Sequence, residues 1–447
     1  MFAIKTIAIG RLIAPAAALF CLSPAFAALP IEHWTQPAGA QVYLVQSKAV
    51  PMVDVQIDFD AGARRDPAAQ AGLAAVTASM GEKGVRAHGR EPALDENAID
   101  DAWADLGANF GAGATSDRMS FTLRSLTDAA LLDRAARLAA RQIGEPSFPD
   151  AIWQRERQRI AAALKEADTR PATQAGRAFQ RAVYGGHPYG QRTTPQTLTA
   201  IGVADMRALQ ARALRSCGAK VSIVGALDRA QADRLATTLL GRLPTGPCAT
   251  LPAVAEVQPL AAPQDIRIPF DSAQAHVYIG QPGFRRADPD YFALTVGNYI
   301  LGGGGFVSRL TEQVREQRGL SYSVQSWFEP ALHAGAFTIN LQTRPDQAAQ
   351  AVDVARAVLD RFVADGPTPQ ELQAAKDNLI GGFPLRIDSN AKLLSNVANI
   401  AWNGLPLDYL DTWTAEAQKV TADDIRAAFG RKLRPDRMVT VVVGGKP

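Results

Sequence analysis

Five histidines, His33, His88, His187, His276 and His333, are scattered through the 447 residues, and none stands three or four positions from another. Two imidazoles at helical spacing, backed by a carboxylate, are what hold a catalytic zinc from one side, so the sequence does not encode a self-sufficient zinc enzyme. There is no G-x-S-x-G elbow, and no histidine is placed beside a serine or cysteine that it would activate. The run GGGG at 302–305 lacks the lysine and the spacing of a phosphate loop. The pair that stands out is Arg315 and Tyr322, seven residues apart in GGGGFVSRLTEQVREQRGLSYSV (302–324). Spacing alone gives them an ordinary account. Gly319 stops a helix, Arg315 in its last turns suits the helix dipole, and Tyr322 fills a half-buried strand beyond.

A second stretch is notable for its silence. In GLAAVTASMGEKG (72–84), Ala75, Ala78 and Ser79 share one helix face by their i, i+3, i+4 spacing and carry no reactive group. The stretch is either a plain core helix or an emptied site. Further on, Glu156 in WQRERQRI belongs, read by itself, to a solvated charged face with Arg155, Arg157 and Arg159.

The elements that would carry these residues follow from the rest of the chain. The first 27 residues hold Lys5 and Arg11, no acidic residue, an apolar run from Leu12 to Leu22, and Ala25-Phe26-Ala27 as a small-x-small signal, which reads as a secretory leader cut after Ala27. Pro15 and Pro24 bracket an apolar run shorter than the ~20 residues a membrane span needs, and Phe20 is too bulky for the lipidation site that Cys21 would require. Soluble export to the periplasm or medium is expected. The formal net charge of +3, two of whose positive charges lie in the leader, points to neither nucleic acid nor an anionic membrane. The length exceeds one hydrophobic core, so at least two domains are expected. Cys217 and Cys248 stand in an oxidising compartment; they either pair, closing a loop worth roughly 3–4 kcal/mol in the chain-entropy reading, or stay as two buried thiols.

The stretch from 243 to 264, LPTGPCATLPAVAEVQPLAAPQ, has the proline and alanine content of an extended linker. The segments flanking it repeat each other. GANFGAGATSDRMSFTLRSL (107–126) gives a glycine-rich strand, a turn and an alternating strand. A helix from 128 to 142 follows, then a proline-started helix. GLSYSVQSWFEPALHAGAFTINLQT (319–343), a helix from 345 to 363 and DGPTPQELQAAKDNLI repeat that order. Each half ends on a capped helix and a β-branched strand closing in glycine, 199–227 and 418–445. Two copies of one α/β unit of about 200 residues are the reading.

These features together resemble the pitrilysin and insulinase family of zinc metallopeptidases, the inverzincins, in the short form related to the mitochondrial processing peptidase. The resemblance implies an α+β fold of two homologous α/β domains, each an antiparallel sheet flanked by helices, with paired subunits enclosing a peptide chamber. Its domains would be 28–242, where the zinc motif is lost, and 265–447, which carries the Arg/Tyr pair. The family's signature H-x-x-E-H falls on Ala75, Ala78 and Ser79, while Gly72, Leu73, Lys83 and Gly84 of its frame remain. Glu156, 77 residues after Ser79, would be the remnant of the third ligand. The resemblance assigns Arg315 to holding the substrate backbone or its terminal carboxylate, and Tyr322 to donating to the oxyanion formed at a zinc site on another chain. Gly111 and Ala112 resemble the family's edge strand that pairs with an extended substrate, although a plain hairpin edge accounts for them equally. The expectation is the non-zinc subunit of a heterodimeric periplasmic metalloendopeptidase. Zinc would be held by a partner chain of the same family, none by this one, and a peptide would be the substrate. The alternative is a catalytically inactive peptide-binding or scaffold protein of the same fold, like the core subunits of respiratory complexes.

Overall fold

The computed structural model describes residues 30–248 and 250–445, so the leader expected at 1–27 lies outside the described residues. The first half runs β1 (Glu32–Thr35), β2 (Gln41–Gln46), β3 (Met52–Phe59), α1 (Leu73–Met80), the short strands β4 (Gly84–Val85) and β5 (Leu94–Asp95), and α2 (Glu96–Leu106). It continues through β6 (Asn109–Ala114), β7 (Met119–Leu126), α3 (Ala129–Gly144), α4 (Asp150–Ala167), α5 (Pro171–Tyr184), α6 (Pro195–Thr199), α7 (Val203–Ala213), β8 (Lys220–Gly225) and α8 (Arg229–Leu240). The second half runs β9 (Gln264–Ile268), β10 (Ala275–Pro282), α9 (Tyr291–Asn298), β11 (Val324–Phe328), β12 (Ala336–Thr343) and α10 (Ala348–Asp365). It closes with α11 (Pro369–Gly381), α12 (Asn390–Asn403), α13 (Tyr409–Lys419), α14 (Ala422–Lys432) and β13 (Val439–Val443). Between α8 and β9 the described residues form neither helix nor strand, and a disulfide joins Cys217 to Cys248 across the start of this stretch.

The repeat in the sequence is a repeat in topology. The larger sheet is ordered β1-β2-β8-β3-β7-β6 and the smaller β11-β12-β10-β13-β9. Without β1, the two read alike: one parallel pair, β2 with β8 and β9 with β13, and antiparallel pairing everywhere else. The parallel pair arises because the last strand of each half returns beside the first, after a crossover that contains the helices.

Strand alternation sets two faces per sheet. In the larger sheet Val53, Val55, Ile57, Phe121, Leu123, Val221 and Ile223 are buried on one face. The opposite face presents Asp54, Gln56, Asp58, Ser120, Arg124 and Ser222, a set that reads as solvent-facing. It is covered by α12, a helix of the other half, which packs across β8 and β3. The smaller sheet is covered in return by α5 of the first half: Ala175, Phe179 and Val183 pack against Val439, Val441 and Val443. The Phe179 ring lies over Gly280, where a Cβ would come within 2.9 Å of the ring tip.

Charge fixes the exchange at one end. Lys220 Nζ donates to the carbonyls of Ala401 (2.7 Å) and Trp402 (3.1 Å), the unpaired C-terminal acceptors of α12. Lys220 and Arg118 both stand over the Trp402 ring. Arg118 also pairs with the fully buried Asp58 (3.0 Å), which accepts from Ser120 Oγ and Gln56 Nε2 as well. Burial raises the Asp58 pKa, with Arg118 opposing it, and burial lowers that of Lys220. At the other end Asp117 accepts from Tyr189 Oη (2.6 Å), Arg64 Nε (3.0 Å) and the Leu332 N–H (3.0 Å), tying the β6–β7 turn to the β11–β12 loop.

Because α5 belongs to one half and covers the sheet of the other, Phe179→Ala is expected to lower global stability by about 3–5 kcal/mol. Amide exchange should accelerate in β10 and β13 as well as in α5; loss of protection confined to α5 would show that the exchanged helix does not couple the halves.

Candidate functional site

The frame of α1 is held from outside the helix. Gly72, at φ 107°, begins it without a side chain to cap. The buried Asp66 does so instead, accepting from the N–H groups of Gly72 (2.9 Å) and Ala74 (3.0 Å). Burial raises the Asp66 pKa to about 6, against the pull of these N–H donors. Along the helix, Ala75 and Ser79 lie exposed one turn apart, while Ala78 is buried. The Ser79 hydroxyl donates to the Val76 carbonyl at 3.1 Å.

Glu156 on α4 sits inside a charge network. Its carboxylate is held by Arg159 (2.7 Å) and Arg155 (3.1 Å), and Arg155 also makes a two-pronged contact with Glu96 at 2.8 and 2.9 Å. Lys83, retained from the frame, reaches the same Glu96 at 3.6 Å. Burial would raise the Glu156 pKa, but the two guanidiniums bring it below the usual range. These residues do not fit a zinc ion: two alanines and a hydroxyl donating to the backbone offer no ligand, and the remaining carboxylate is bonded to two arginines. Among the described residues no group of three or more His, Cys, Asp or Glu side chains is arranged to hold a metal.

Gly111 and Ala112 lie on β6, an edge of the larger sheet. The Ala112 N–H, which faces away from β7, is bonded to the Glu82 carboxylate at 2.7 Å. Burial raises the pKa of Glu82, and this N–H opposes the rise. Glu82, unremarked in the sequence, therefore occupies a donor that an added strand would use. Its only signal was its place beside the retained Lys83-Gly84.

Arg315 and Tyr322 are brought together. Arg315 lies in a π-helical turn, Thr311–Glu316, followed by Gly319 at φ 61°. Tyr322 is not on a strand, as its place in the sequence suggested, but in the bend two residues before β11. A chain turning out of the wide π-helical turn has no partner strand until Val324, so the ring projects and is 82% exposed. The Arg315 guanidinium lies 4.9 Å from the centre of the Tyr322 ring and 4.7 Å from that of Phe306, with Glu316 3.2 Å away. Phe306, just after the glycine run, is 72% exposed and was not legible as a site residue. The three side chains face a cavity of about 520 Å³ between the glycine run and β11. Gly302 is needed there, because a Cβ would fall 2.6 Å from the Ser326 nitrogen. Cation–π contacts at so exposed a position are worth roughly 0.5–1 kcal/mol each, so an incoming carboxylate can draw Arg315 away at small cost.

A duplicated α/β chain with a helix α1 that offers no metal-holding group among the described residues, and an exposed arginine–tyrosine couple in its other half, has the build of a metallopeptidase-type chain. Residues 41–196 match the family described as Insulinase (Peptidase family M16), and residues 200–379 match the one described as Peptidase M16 inactive domain. The chain belongs to peptidase family M16. The crystal structure of a peptidase M16 inactive domain from Pseudomonas fluorescens is 33% identical and superposes with a TM-score of 0.88, covering 94% of this chain and 98% of that one. A Helicobacter pylori protein named non-peptidase homolog YmxG is 25% identical over 422 residues, 92% of this chain and 93% of that one. An uncharacterized zinc protease of Streptomyces coelicolor is 35% identical over 156 residues, 34% of this chain and only 33% of that protein's length. Among the described residues no helix is long and apolar enough to cross a membrane.

Two outcomes test this geometry. The double variant Ala75→His, Ser79→His should bind no stoichiometric zinc after dialysis, by metal analysis, while Arg155 and Arg159 hold Glu156; adding Arg155→Ala and Arg159→Ala should raise its zinc content. Asp66 has a folded pKa raised from 3.8 to about 6, so the folded chain binds more protons than the unfolded one in between. Its contribution is full below about pH 4 and is lost as pH rises through about 6, a change on the order of 3 kcal/mol. Urea denaturation should therefore show Asp66→Asn gaining on the wild type by that order between about pH 4 and pH 7.

Proposed function

We propose that this chain is the non-zinc subunit of a two-chain periplasmic metalloendopeptidase, lending Arg315 and Tyr322 to the zinc site of a partner from the same family. The observation that carries this reading is the Arg315–Tyr322 couple, stacked in contact yet exposed at the mouth of a cavity, with a phenolic hydroxyl that makes no hydrogen bond among the described residues. Arg315 holds the carbonyl or terminal carboxylate of a bound peptide with its planar donors. Tyr322 donates its hydroxyl proton to the negative charge that develops on the scissile carbonyl oxygen. The metal and the general base that activate water come from the partner. Gly111 and Ala112 line the path of the extended peptide, which displaces the Glu82 carboxylate from the Ala112 N–H.

A second reading is a peptide-binding or scaffold protein without a part in catalysis. It is favoured by the near full-length similarity to a protein named as a non-peptidase homolog, and in it Arg315, Phe306 and Tyr322 merely stack over the glycine run.

Alone the chain should cleave no peptide. Co-purified with a chain that carries the zinc signature, it should raise cleavage sharply. In that mixture Tyr322→Phe should lower kcat by about 10²–10³, as loss of one oxyanion donor does, while Arg315→Ala should act mainly by raising KM. Full activity of the mixture carrying both substitutions would hand the chain to the scaffold reading.

A further inference from the structure

A cavity of about 710 Å³ opens between the end of α4, α5, the loop from Gly190 to Thr194 and the start of α6, with Ile268 of β9 also lining it. Three arginines line it: Arg177 and Arg181, one turn apart on α5, and Arg192 in the loop. Arg177 is paired with Asp168, yet its Nε is buried with no hydrogen-bond partner. Neither Arg181 nor Arg192 makes an ion pair or side-chain hydrogen bond among the described residues, although Arg192 is half-buried. Burial and the charges of Arg177 and Arg181 together bring the Arg192 pKa down to about 10.

Three guanidiniums facing one space with a single carboxylate leave two positive charges without a counterion. Arg177 and Arg192 are partly buried and Arg181 is exposed at the rim, and like charges brought together oppose one another the more the deeper they lie, so a bound anion would relieve them. The loop is also held in place before any ligand arrives: it is pressed against the start of α1 so closely that a Cβ on Gly72 would lie 2.5 Å from Thr193 Oγ1. A preorganised set of planar donors suits tetrahedral oxyanions, whose oxygens accept from several guanidinium forks at once. The cavity has room for more than one phosphoryl group.

We propose that this cavity is a binding site for a small, multiply charged phosphate-class anion of pyrophosphate size, held by Arg177, Arg181 and Arg192. The site does not depend on the catalytic reading of Arg315 and Tyr322, and its failure would leave that reading untouched.

Calorimetric titration of the leaderless chain with pyrophosphate, inorganic phosphate and succinate, at one fixed ionic strength, tests it. Pyrophosphate should bind saturably, more tightly than phosphate and far more tightly than succinate. It should also raise the thermal midpoint. Arg192→Ala and Arg181→Ala, neither of which removes an ion pair or side-chain hydrogen bond among the described residues, should each weaken pyrophosphate by about tenfold or more. Arg134→Ala, on the exposed side of α3, should leave binding unchanged. The proposal is overturned by the absence of saturable binding up to about 10 mM pyrophosphate. Succinate binding as well as pyrophosphate, or an Arg192→Ala affinity equal to that of the wild type, would overturn it too.

Discussion

The architecture depends on each sheet having two faces to bury. One face of each is covered by helices of its own half, but the other is covered only by the helix that the opposite half sends across. Phe179 on α5 and the C-terminal turn of α12 are therefore among the points where the two halves become one body. The two contacts differ in kind. α5 meets an apolar surface of valines and is held by burial at roughly 25 cal/mol per Å². α12 meets a mixed surface, where Val45 and Val224 are buried with its own Leu393, Leu394 and Val397, and beside them Lys220 and Arg118 supply the positive charge that its carbonyls and the buried Asp58 both need.

The same duplication places one candidate region in each half, and both lie beside a free sheet edge. β6 and β11 occupy equivalent ends of the two sheets. Each has an outward backbone group engaged by a side chain from the segment beside it: the Ala112 N–H by Glu82, and the Ser326 carbonyl by Asn298 Nδ2 at 3.0 Å. An open edge invites indiscriminate pairing, and a single side-chain contact at each edge limits that while remaining displaceable by a correctly placed strand.

At positions 75, 78 and 79 α1 carries no metal-ligating side chain, and the charges beside it satisfy one another. A carboxylate that would otherwise need a cation has Arg155 and Arg159 instead, and the frame lysine Lys83 joins the network through Glu96. The start of the helix is held by Asp66, which lies outside that charge network.

Local sequence determined a good deal: the strands by their alternation, the helices by caps and prolines, and the repeat by its order. It also made the empty face of α1 legible, because an absence of ligands at 75, 78 and 79 is a fact about residue types. What it did not contain was any contact made across the chain. Nothing local to β3 and β8 says that α12, from the other half, covers their polar face. Tyr322 reads as a strand residue, yet the π-helical turn before it delays the strand by two positions. Phe306, Glu82 and the three arginines around the 710 Å³ cavity acquire meaning only when distant segments converge. The physical reason is one of range. Propensity, capping and periodicity act over a few residues and are written locally, whereas the exchange of helices, the meeting of charges and the shape of a cavity are decided by how the two finished halves bury each other's remaining surfaces.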